Sequence, residues 1–138
     1  MGRKLKIDTG GEKFGPYSPG INVRDHIWLS GQVDVESGDD IESQTVGTLS
    51  KIDDLLAAAN SSKSDLVKVT VLMTDIGNYS KINEIYSDWL GDTIPPARAA
   101  YAVSQLPMGA LVAIVCEAFR NSGEFRTDLP ADLEEALV

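Results

Sequence analysis

Residues 65–75 read DLVKVTVLMTD, and this stretch decides the predicted fold. Apolar and polar residues alternate along it, as they do in a β-strand that buries one side and exposes the other. The apolar side holds Val67, Val69, Val71 and Met73, and the polar side holds Lys68, Thr70 and Thr74. We therefore predict a strand here and build the rest of the fold outward from it.

A helix is predicted on each side of this strand. Residues 41–60 place apolar side chains at three- and four-residue spacings, and Asp39 or Asp40 can cap the start of this helix. Residues 79–90 repeat the pattern, and the prolines at 95 and 96 prevent the second helix from continuing. The predicted buried positions are Val46, Leu49, Ile52, Leu55, Leu56 and Ala59 in the first helix and Tyr79, Ile82, Ile85, Tyr86, Trp89 and Leu90 in the second.

Four further segments are predicted to complete a sheet. RKLKID (3–8) suits an edge strand, and GINVRDHIWLSGQVD (20–34) contains two apolar runs joined by Arg24, Asp25 and His26, which predicts a hairpin. ARAAYAV (97–103) and LVAIVCEAF (111–119) predict two more strands. This order predicts an α/β (α+β) fold, a mixed sheet with both helices packed on one face. Because the other face carries many small or apolar residues, we expect copies of the chain to cover it in a homo-oligomer.

Length and composition bound the possible functions. We expect residues 1–138 to form one domain with a core at about 5–120 and a polar tail at 121–138, part of it mobile, that ends in a short helix after Pro130. The 12 Lys and Arg residues against 21 Asp and Glu residues give a net charge of -9, which disfavours nucleic-acid partners. The start of the sequence lacks an apolar segment and no run reaches transmembrane length, so we expect a cytoplasmic protein without membrane contact.

Arg98 is the first candidate for a functional residue. It lies in PPARAAYAV (95–103), at the entrance to an uncharged run. In a strand it shares one side with Ala100 and Ala102, and we expect the larger residues of the other side, such as Tyr101, to face the helices. Arg98 then has room beside its guanidinium on the opposite side. Two interpretations remain: a fork for a ligand carboxylate, or a salt bridge at a surface or interface, which the pattern alone favours.

Four other residues are weaker candidates. Tyr17 lies in the turn GPYSPG, where its phenol could donate a hydrogen bond to a ligand or could simply cover a core edge. Ser30 and Gly31 end an apolar run, and a glycine allows a backbone N–H to approach an anion closely. Asn83 lies at the edge of the second helix's apolar side, so its amide should be partly buried; a hydrogen bond from helix to loop would also explain it.

His26 and Cys116 are predicted to have no catalytic or metal-binding role. His26 is the single histidine, is predicted to be solvated in a turn and has no second ligand at motif spacing, so no metal site is predicted. Cys116 is the single cysteine and allows no internal disulfide. Since it lies within an apolar strand, we predict a packed thiol and not a nucleophile.

Six segments together resemble, in order and spacing, the RidA family, also called YjgF or L-PSP. The segments are GPYSPG, LSGQVD, LVKVTVLMTD, INEIYSDWL, PPARAAYAV and LPMGALVAI. The resemblance runs from about Gly15 to Phe119. It implies a chorismate-mutase-like fold that assembles as a homotrimer, with ligand clefts between neighbouring subunits.

The resemblance also implies an activity that needs no cofactor. Deaminases of the family hydrolyse small imines and enamines, such as 2-aminoacrylate and 2-iminobutanoate, to 2-keto acids and ammonia. By this resemblance Arg98 binds the substrate carboxylate through two parallel hydrogen bonds, aided by the backbone N–H of Gly31. Tyr17, Ser30 and Asn83 then line the cleft, and Arg98 and Tyr17 are the catalytic candidates.

Two positions depart from the family's deaminase pattern. Ala100 replaces a usual cysteine, and Ala113 replaces the glutamate that orients or activates the attacking water. Glu117 is on the same side of its strand as Ala113 but roughly 13 Å further along, so it does not replace the missing carboxylate. The alternatives are therefore a non-catalytic or regulatory trimer that binds small carboxylates and, disfavoured by the acidic composition, an endoribonuclease.

Overall fold

The computed structural model describes residues 2–123 of the chain. The strands are β1 (Leu5–Ile7), β2 (Gly20–Val23), β3 (His26–Leu29), β4 (Leu66–Met73), β5 (Ala97–Ala102) and β6 (Val112–Phe119), and the α-helices are α1 (Ile41–Ala58) and α2 (Tyr79–Leu90). The predicted helices and strands are confirmed at nearly the predicted bounds. The predicted terminal helix falls on residues outside the described range.

All six strands form one mixed sheet in the order β1-β2-β3-β6-β4-β5. Neighbouring strands run antiparallel except β4 and β5, which are parallel because α2 carries the chain back between them. The hairpin of β2 and β3 turns through Arg24 and Asp25, with His26 paired to Val23. His26 therefore begins β3, and its predicted place in the turn is wrong.

Both helices pack on one face of the sheet, which we call the covered face. From β4 it buries Val69, Val71 and Met73, and from β6 Val112, Ile114, Cys116 and Ala118. The helices add Leu49, Ile52, Leu55, Leu56, Ile82, Tyr86 and Leu90. Each such aliphatic or aromatic side chain contributes about 1.5–3 kcal/mol when fully buried. This layer fixes α2 against β4, β5 and β6.

Three predicted core residues lie outside the core. One is Tyr79 at the start of α2, which is 38 % exposed. Val67 is 40 % exposed because a register shift between Leu66 and Lys68 interrupts the alternation of β4 at this point. Val46 is exposed because α1 turns polar residues inward at its start. Gln44 is one of these, and its amide donates to the Gly38 carbonyl and accepts from the Leu111 N–H.

The start of α1 is capped as the sequence predicts. The carboxylate of Asp40 accepts a hydrogen bond from the backbone N–H of Ser43 at 2.9 Å. This hydrogen bond is the main cause that lowers the pKa of Asp40 below its ordinary value. The end of α2 is a glycine, Gly91, whose φ of 58° belongs to the left-handed region. The chain then turns toward β5.

The second face of the sheet, which we call the open face, is largely left uncovered by the described part of the chain. It carries aromatic side chains that remain 39 % exposed at Trp28, 48 % at Phe119 and 52 % at Tyr101. Thr70, Leu72, Ala113, Val115 and Glu117 lie among them in the strand register. An apolar surface of this kind on a sheet typically marks an interaction site.

Candidate functional site

Arg98 lies on the covered face, and the opposite placement predicted from the sequence is wrong. In the register of β4 and β5, Arg98 is paired with Val69 and Ala100 with Val71, both buried beneath the helices. Tyr101 therefore points to the open face. The physical reason is that β5 is the edge strand, where the helix layer ends. A long arginine can cover the core edge with its stem and keep its guanidinium at the surface.

Two tyrosines of α2 hold the guanidinium of Arg98. Its Nη2 donates a hydrogen bond to the hydroxyl of Tyr79 at 3.1 Å. Its Cζ lies 5.1 Å from the ring centre of Tyr86 and 5.7 Å from that of Tyr79, within the range of cation–π attraction. Among the described residues no carboxylate is within ion-pair distance of Arg98, so its salt-bridge interpretation finds no support there.

Tyr86 contributes a buried aromatic ring to this contact, and its phenol does not ionise at physiological pH. Burial raises the pKa of its phenol to about 12, and the nearby charge of Arg98 acts in the opposite direction. Its hydroxyl has no hydrogen-bond partner within residues 2–123. The phenol is therefore neutral at physiological pH, and its ring face is what Arg98 contacts.

Asn83 lies one helical turn after Tyr79 on α2 and is partly buried, as predicted. Its side-chain amide makes no hydrogen bond to any described residue, so the predicted helix-to-loop bond is not found in that part of the chain. Arg98, Tyr79, Tyr86 and Asn83 form what we call the arginine group. Tyr79 and Tyr86 were missed as site residues because their spacing reads simply as the apolar side of a helix.

Tyr17, Ser30 and Gly31 come together at a different place, around a cavity of about 340 Å³. The Ser30 hydroxyl donates to the Ser18 carbonyl at 2.6 Å, and the Ser30 N–H donates to the Pro19 carbonyl at 2.9 Å. These bonds join the end of β3 to the GPYSPG turn. A side chain at position 31 would contact Val115 of the open face. Glycine therefore keeps the backbone accessible at this wall of the cavity.

The same cavity contains residues that the sequence did not single out. They are Glu12, Phe14, Gln32, Val33, Lys51, Pro107 and Met108. The ammonium of Lys51 donates to the Val33 carbonyl at 2.9 Å and lies 3.6 Å from a carboxylate oxygen of Asp34. Glu12 forms no ion pair with any described residue. No sequence signal pointed to Glu12, since it lies in an irregular loop before the GPYSPG turn.

A single chain does not bring Arg98 together with Gly31. In the sheet order β5 is three strands from β3, roughly 14 Å at the usual strand spacing. Arg98 also lies on the covered face, whereas Gly31 contacts Val115 on the open face. The predicted site residues thus form two groups, the arginine group and the cavity with Tyr17, Ser30 and Gly31.

Ala113 and Glu117 lie on the open face. Ala113 is 5 % exposed and carries no polar side chain. Glu117 already has a partner, since its carboxylate oxygen lies 2.9 Å from Nε2 of His26. The ring of His26 stacks on Trp28 with centres 3.7 Å apart, so the predicted solvated histidine is wrong.

Cys116 is buried on the covered face, and burial raises the pKa of its thiol to about 12. The predicted packed thiol is confirmed. Within residues 2–123 no three His, Cys, Asp or Glu side chains gather as a metal site would require. No helix in the same range combines the length and the hydropathy that crossing a membrane demands.

Comparison with known proteins gives the family of the chain. The family model described as Endoribonuclease L-PSP matches residues 11–120. The chain is 38 % identical to the mouse 2-iminobutanoate/2-iminopropanoate deaminase over 118 aligned residues. The aligned region covers 81 % of this chain and 85 % of the mouse protein.

Two solved structures show the same fold. One is a protein of the conserved Rid family from Yersinia pestis, with a TM-score of 0.80 and 40 % identity over 85 % of this chain and 99 % of that protein. The other is TdcF from E. coli with bound serine, with a TM-score of 0.79 and 28 % identity over 85 % of this chain and 99 % of that protein. The chain belongs to the RidA/YjgF/L-PSP family.

Proposed function

We propose that this protein hydrolyses small 2-imino acids, and the enamines in equilibrium with them, to 2-keto acids and ammonia. The observation that carries the proposal is the Arg98 guanidinium, held by two tyrosines and without a described carboxylate partner. The name of the mouse relative supports an imino-acid substrate, and the serine bound to TdcF is a small molecule with a carboxylate. No cofactor takes part in the proposed reaction.

The proposed site forms between subunits of a homotrimer. The arginine group lies beside the edge strand β5, and the cavity with Tyr17 lies elsewhere in the same chain. A neighbouring copy packed on the open face and against β5 would place its cavity opposite Arg98. This arrangement also covers the exposed Trp28, Tyr101 and Phe119. Three equivalent clefts then hold the reaction.

In the proposed cleft Arg98 binds the substrate carboxylate through two parallel N–H groups, for which a planar guanidinium is better suited than an ammonium. The backbone N–H of Gly31 from the neighbouring subunit adds a third donor. Tyr17, Ser30 and Asn83 surround the imine end of the substrate. These contacts hold the C=N carbon in place for attack by water.

The chemical step joins water to the C=N carbon. A C–O bond forms, the C=N electron pair moves to nitrogen, and the nitrogen takes a proton to give a carbinolamine. The C–N bond then breaks, ammonia leaves and the C=O double bond forms. A base must accept a proton from the attacking water. Ala113 cannot do so, and Glu117 is bound to His26. We assign this role to Glu12, the carboxylate that lines the cavity with Tyr17.

The test of the proposed function couples the full-length protein to an enzyme that generates 2-aminoacrylate and measures the release of pyruvate. The protein should accelerate release, and Arg98→Ala should abolish the acceleration. Arg98→Lys keeps the charge but loses the parallel donors, so it should retain only a small part of it. If the unmodified protein gives no acceleration, this activity is excluded.

A second variant tests the water-activating carboxylate separately. Glu12→Gln keeps the shape of the side chain but removes its basicity, so kcat should fall about 100-fold while the affinity for a 2-keto acid stays the same. Glu84→Gln is the matched control, since Glu84 is exposed on α2 and lines neither the cavity with Ser30 nor the adjoining one that Glu12 also lines. An unchanged kcat in Glu12→Gln would remove Glu12 from the mechanism and leave the carboxylate site in place.

One observation favours a second candidate function, a trimer that binds small carboxylates without turning them over. Ala113 leaves a nonpolar side chain on the sheet beside the cavity wall. Saturable binding of 2-ketobutyrate that Arg98→Ala weakens, together with no keto-acid release, would support this function. The absence of any binding would exclude both candidates.

The family description also names an endoribonuclease. The net charge of -9 opposes the approach of a phosphate backbone, so we rank this activity below the other two. RNA cleavage that persists after rigorous removal of contaminating nuclease, and that Arg98→Ala abolishes, would reverse the ranking.

A further inference from the structure

We infer that Tyr79 is a positioning residue that sets the direction of the Arg98 fork. The inference rests on the proposed function, in which Arg98 binds the substrate carboxylate. Tyr79 acts through Arg98 and is not assigned a contact with the reacting atoms.

The geometry of the contact restricts the Arg98 side chain before any ligand binds. An unrestrained arginine side chain carries about 2 kcal/mol of rotamer entropy, which a ligand must overcome when it fixes the guanidinium. Here the Tyr79 hydroxyl accepts from Nη2 at 3.1 Å, and the Tyr86 ring lies 5.1 Å from Cζ. One contact fixes the rotation of the fork and the other supports its plane. The remaining N–H groups of Arg98 have no hydrogen-bond partner among residues 2–123.

The elements that carry Tyr79, Tyr86 and Arg98 are held rigidly by the core. Tyr79 and Tyr86 lie seven residues apart on α2, which places them on the same side of the helix. Ile82 and Leu90 of that helix are buried in the covered layer, and Arg98 is in register with buried Val69. The distance between helix and strand is therefore fixed by the core. A site on such elements holds its geometry better than a site on loops.

The chemistry of the acceptor also suits a positioning role. A carboxylate at the position of Tyr79 would also orient Arg98, but it would neutralise the guanidinium and compete with the carboxylate of a ligand. A phenol accepts one hydrogen bond and carries no charge at physiological pH. The Tyr79 hydroxyl therefore orients the fork and leaves its full charge for the ligand.

The decisive variant is Tyr79→Phe in the full-length protein, because it keeps the ring and removes the acceptor. Binding of 2-ketobutyrate, measured by calorimetry, should weaken about three- to tenfold, because the ligand must then overcome part of the rotamer entropy of the Arg98 side chain itself. In the coupled assay KM should rise by a similar factor with kcat nearly unchanged, since binding of ground state and transition state is weakened alike. The side-chain N–H signal of Arg98 in ¹⁵N NMR spectra should shift or broaden.

Ser87→Ala is the matched control. It removes a hydroxyl from the same helix, but Ser87 is exposed and its side chain makes no hydrogen bond to any described residue. Affinity, KM and the Arg98 signal should stay at the values of the unmodified protein.

The outcomes separate the inference from the function it rests on. If Arg98→Ala abolishes binding while Tyr79→Phe binds 2-ketobutyrate normally, the positioning role is overturned and the proposed function stands. If Tyr79→Phe lowers the melting temperature and kcat but leaves KM unchanged, its role is structural and the inference is also overturned. If Arg98→Ala binds as well as the unmodified protein, both are overturned.

Discussion

The two faces of the sheet are built from the same strands but differ in what completes them. On the covered face, α1 and α2 bury the side chains of β4 and β6, and the layer is closed within one chain. On the open face, the side chains that alternate with these remain accessible, including Trp28, Tyr101 and Phe119. Strands β3, β5 and β6 therefore carry apolar side chains on both faces of the sheet.

The residues of the candidate site are also divided between the two faces. Arg98 is oriented by residues of its own helix layer, so this half is complete in a single chain. The cavity half has Tyr17, Ser30 and Gly31 but no arginine among its lining residues. The comparison teaches that a chain can build a rigid anchor by itself and, in the proposed function, still depend on a second copy for the cleft.

The largest expected effect comes from placing a charge on the open face. Tyr101→Glu should weaken assembly by at least about 3 kcal/mol per interface, because an unpaired carboxylate would be buried there. Sedimentation should show dissociation into folded single chains with an unchanged circular dichroism spectrum. Val46→Glu, on the exposed side of α1, is the control and should leave assembly intact. Normal assembly of Tyr101→Glu would show that the open face is not the interface.

The next effect compares two valines of β6. Val112 is fully buried on the covered face, and Val115 is partly exposed on the open face. Val112→Ala should lower the free energy of unfolding by about 2 kcal/mol, from lost burial and the cavity left behind. Val115→Ala should cost roughly half as much in urea denaturation at low protein concentration, where subunits are separate. Equal losses would contradict the distinction between the faces.

A smaller effect compares two carboxylates and depends on pH. Burial is the largest influence on Asp65 and raises its pKa, but hydrogen bonds from the Ser61 hydroxyl and the Gly123 N–H, among others, outweigh it and lower the pKa overall. A carboxylate with a lowered pKa stabilises the fold above its unfolded-state pKa, and this contribution is lost as the pH falls through the folded-state pKa.

Asp65→Asn should therefore cost about 1–2 kcal/mol at pH 7 and progressively less in acid, as measured by chemical denaturation across pH. Glu117→Gln, which loses only the partly exposed pair with His26, should cost roughly 0.5 kcal/mol or less at pH 7. A loss at Asp65 that does not change with pH would show that its ionised form is not what stabilises the fold.

The smallest effect tests whether the buried hydroxyl groups of the covered layer have hydrogen-bond partners. Thr45 and Thr48 of α1 are both fully buried, but only the Thr45 hydroxyl has a described partner, the Ile41 carbonyl at 2.7 Å. Thr48→Val should raise the free energy of unfolding by about 0.5–1 kcal/mol, whereas Thr45→Val should not raise it. Thermal unfolding of the two variants measures the difference. A stabilised Thr45→Val would indicate that its hydrogen bond contributes nothing.

Most of the fold could be predicted from local periodicity. The alternation of residues 65–75 and the helical spacing of residues 79–90 gave β4 and α2 at nearly their final bounds, because each pattern reflects burial on one side. The exposure of Val67 could not be predicted, since it follows from a register shift against β6. The prediction of which side of β5 faces the helices was also wrong. At an edge strand, arginine and tyrosine can each cover apolar surface, so residue size does not decide the side.

The site was predictable only in part. The resemblance named Arg98 and Tyr17 but could not show that one chain separates them, since strand order and face depend on the assembled sheet. The proposed role of Tyr79 was hidden because tyrosines at helical spacing usually belong to a core. The proposed role of Glu12 was hidden as well, because a single acidic residue in a loop forms no recognisable sequence pattern.

The parallel unit of β4, α2 and β5 has a consequence for how the protein is made. Arg98 and Tyr79 are 19 residues apart, and one helix and one loop bring them together. The cavity needs Tyr17 to meet Pro107 and Met108, which come from nearly opposite ends of the described chain. Contacts close in sequence form faster than distant ones. During synthesis the anchor can therefore be in place before the cavity exists, and under the proposed function binding competence is acquired last, when subunits meet.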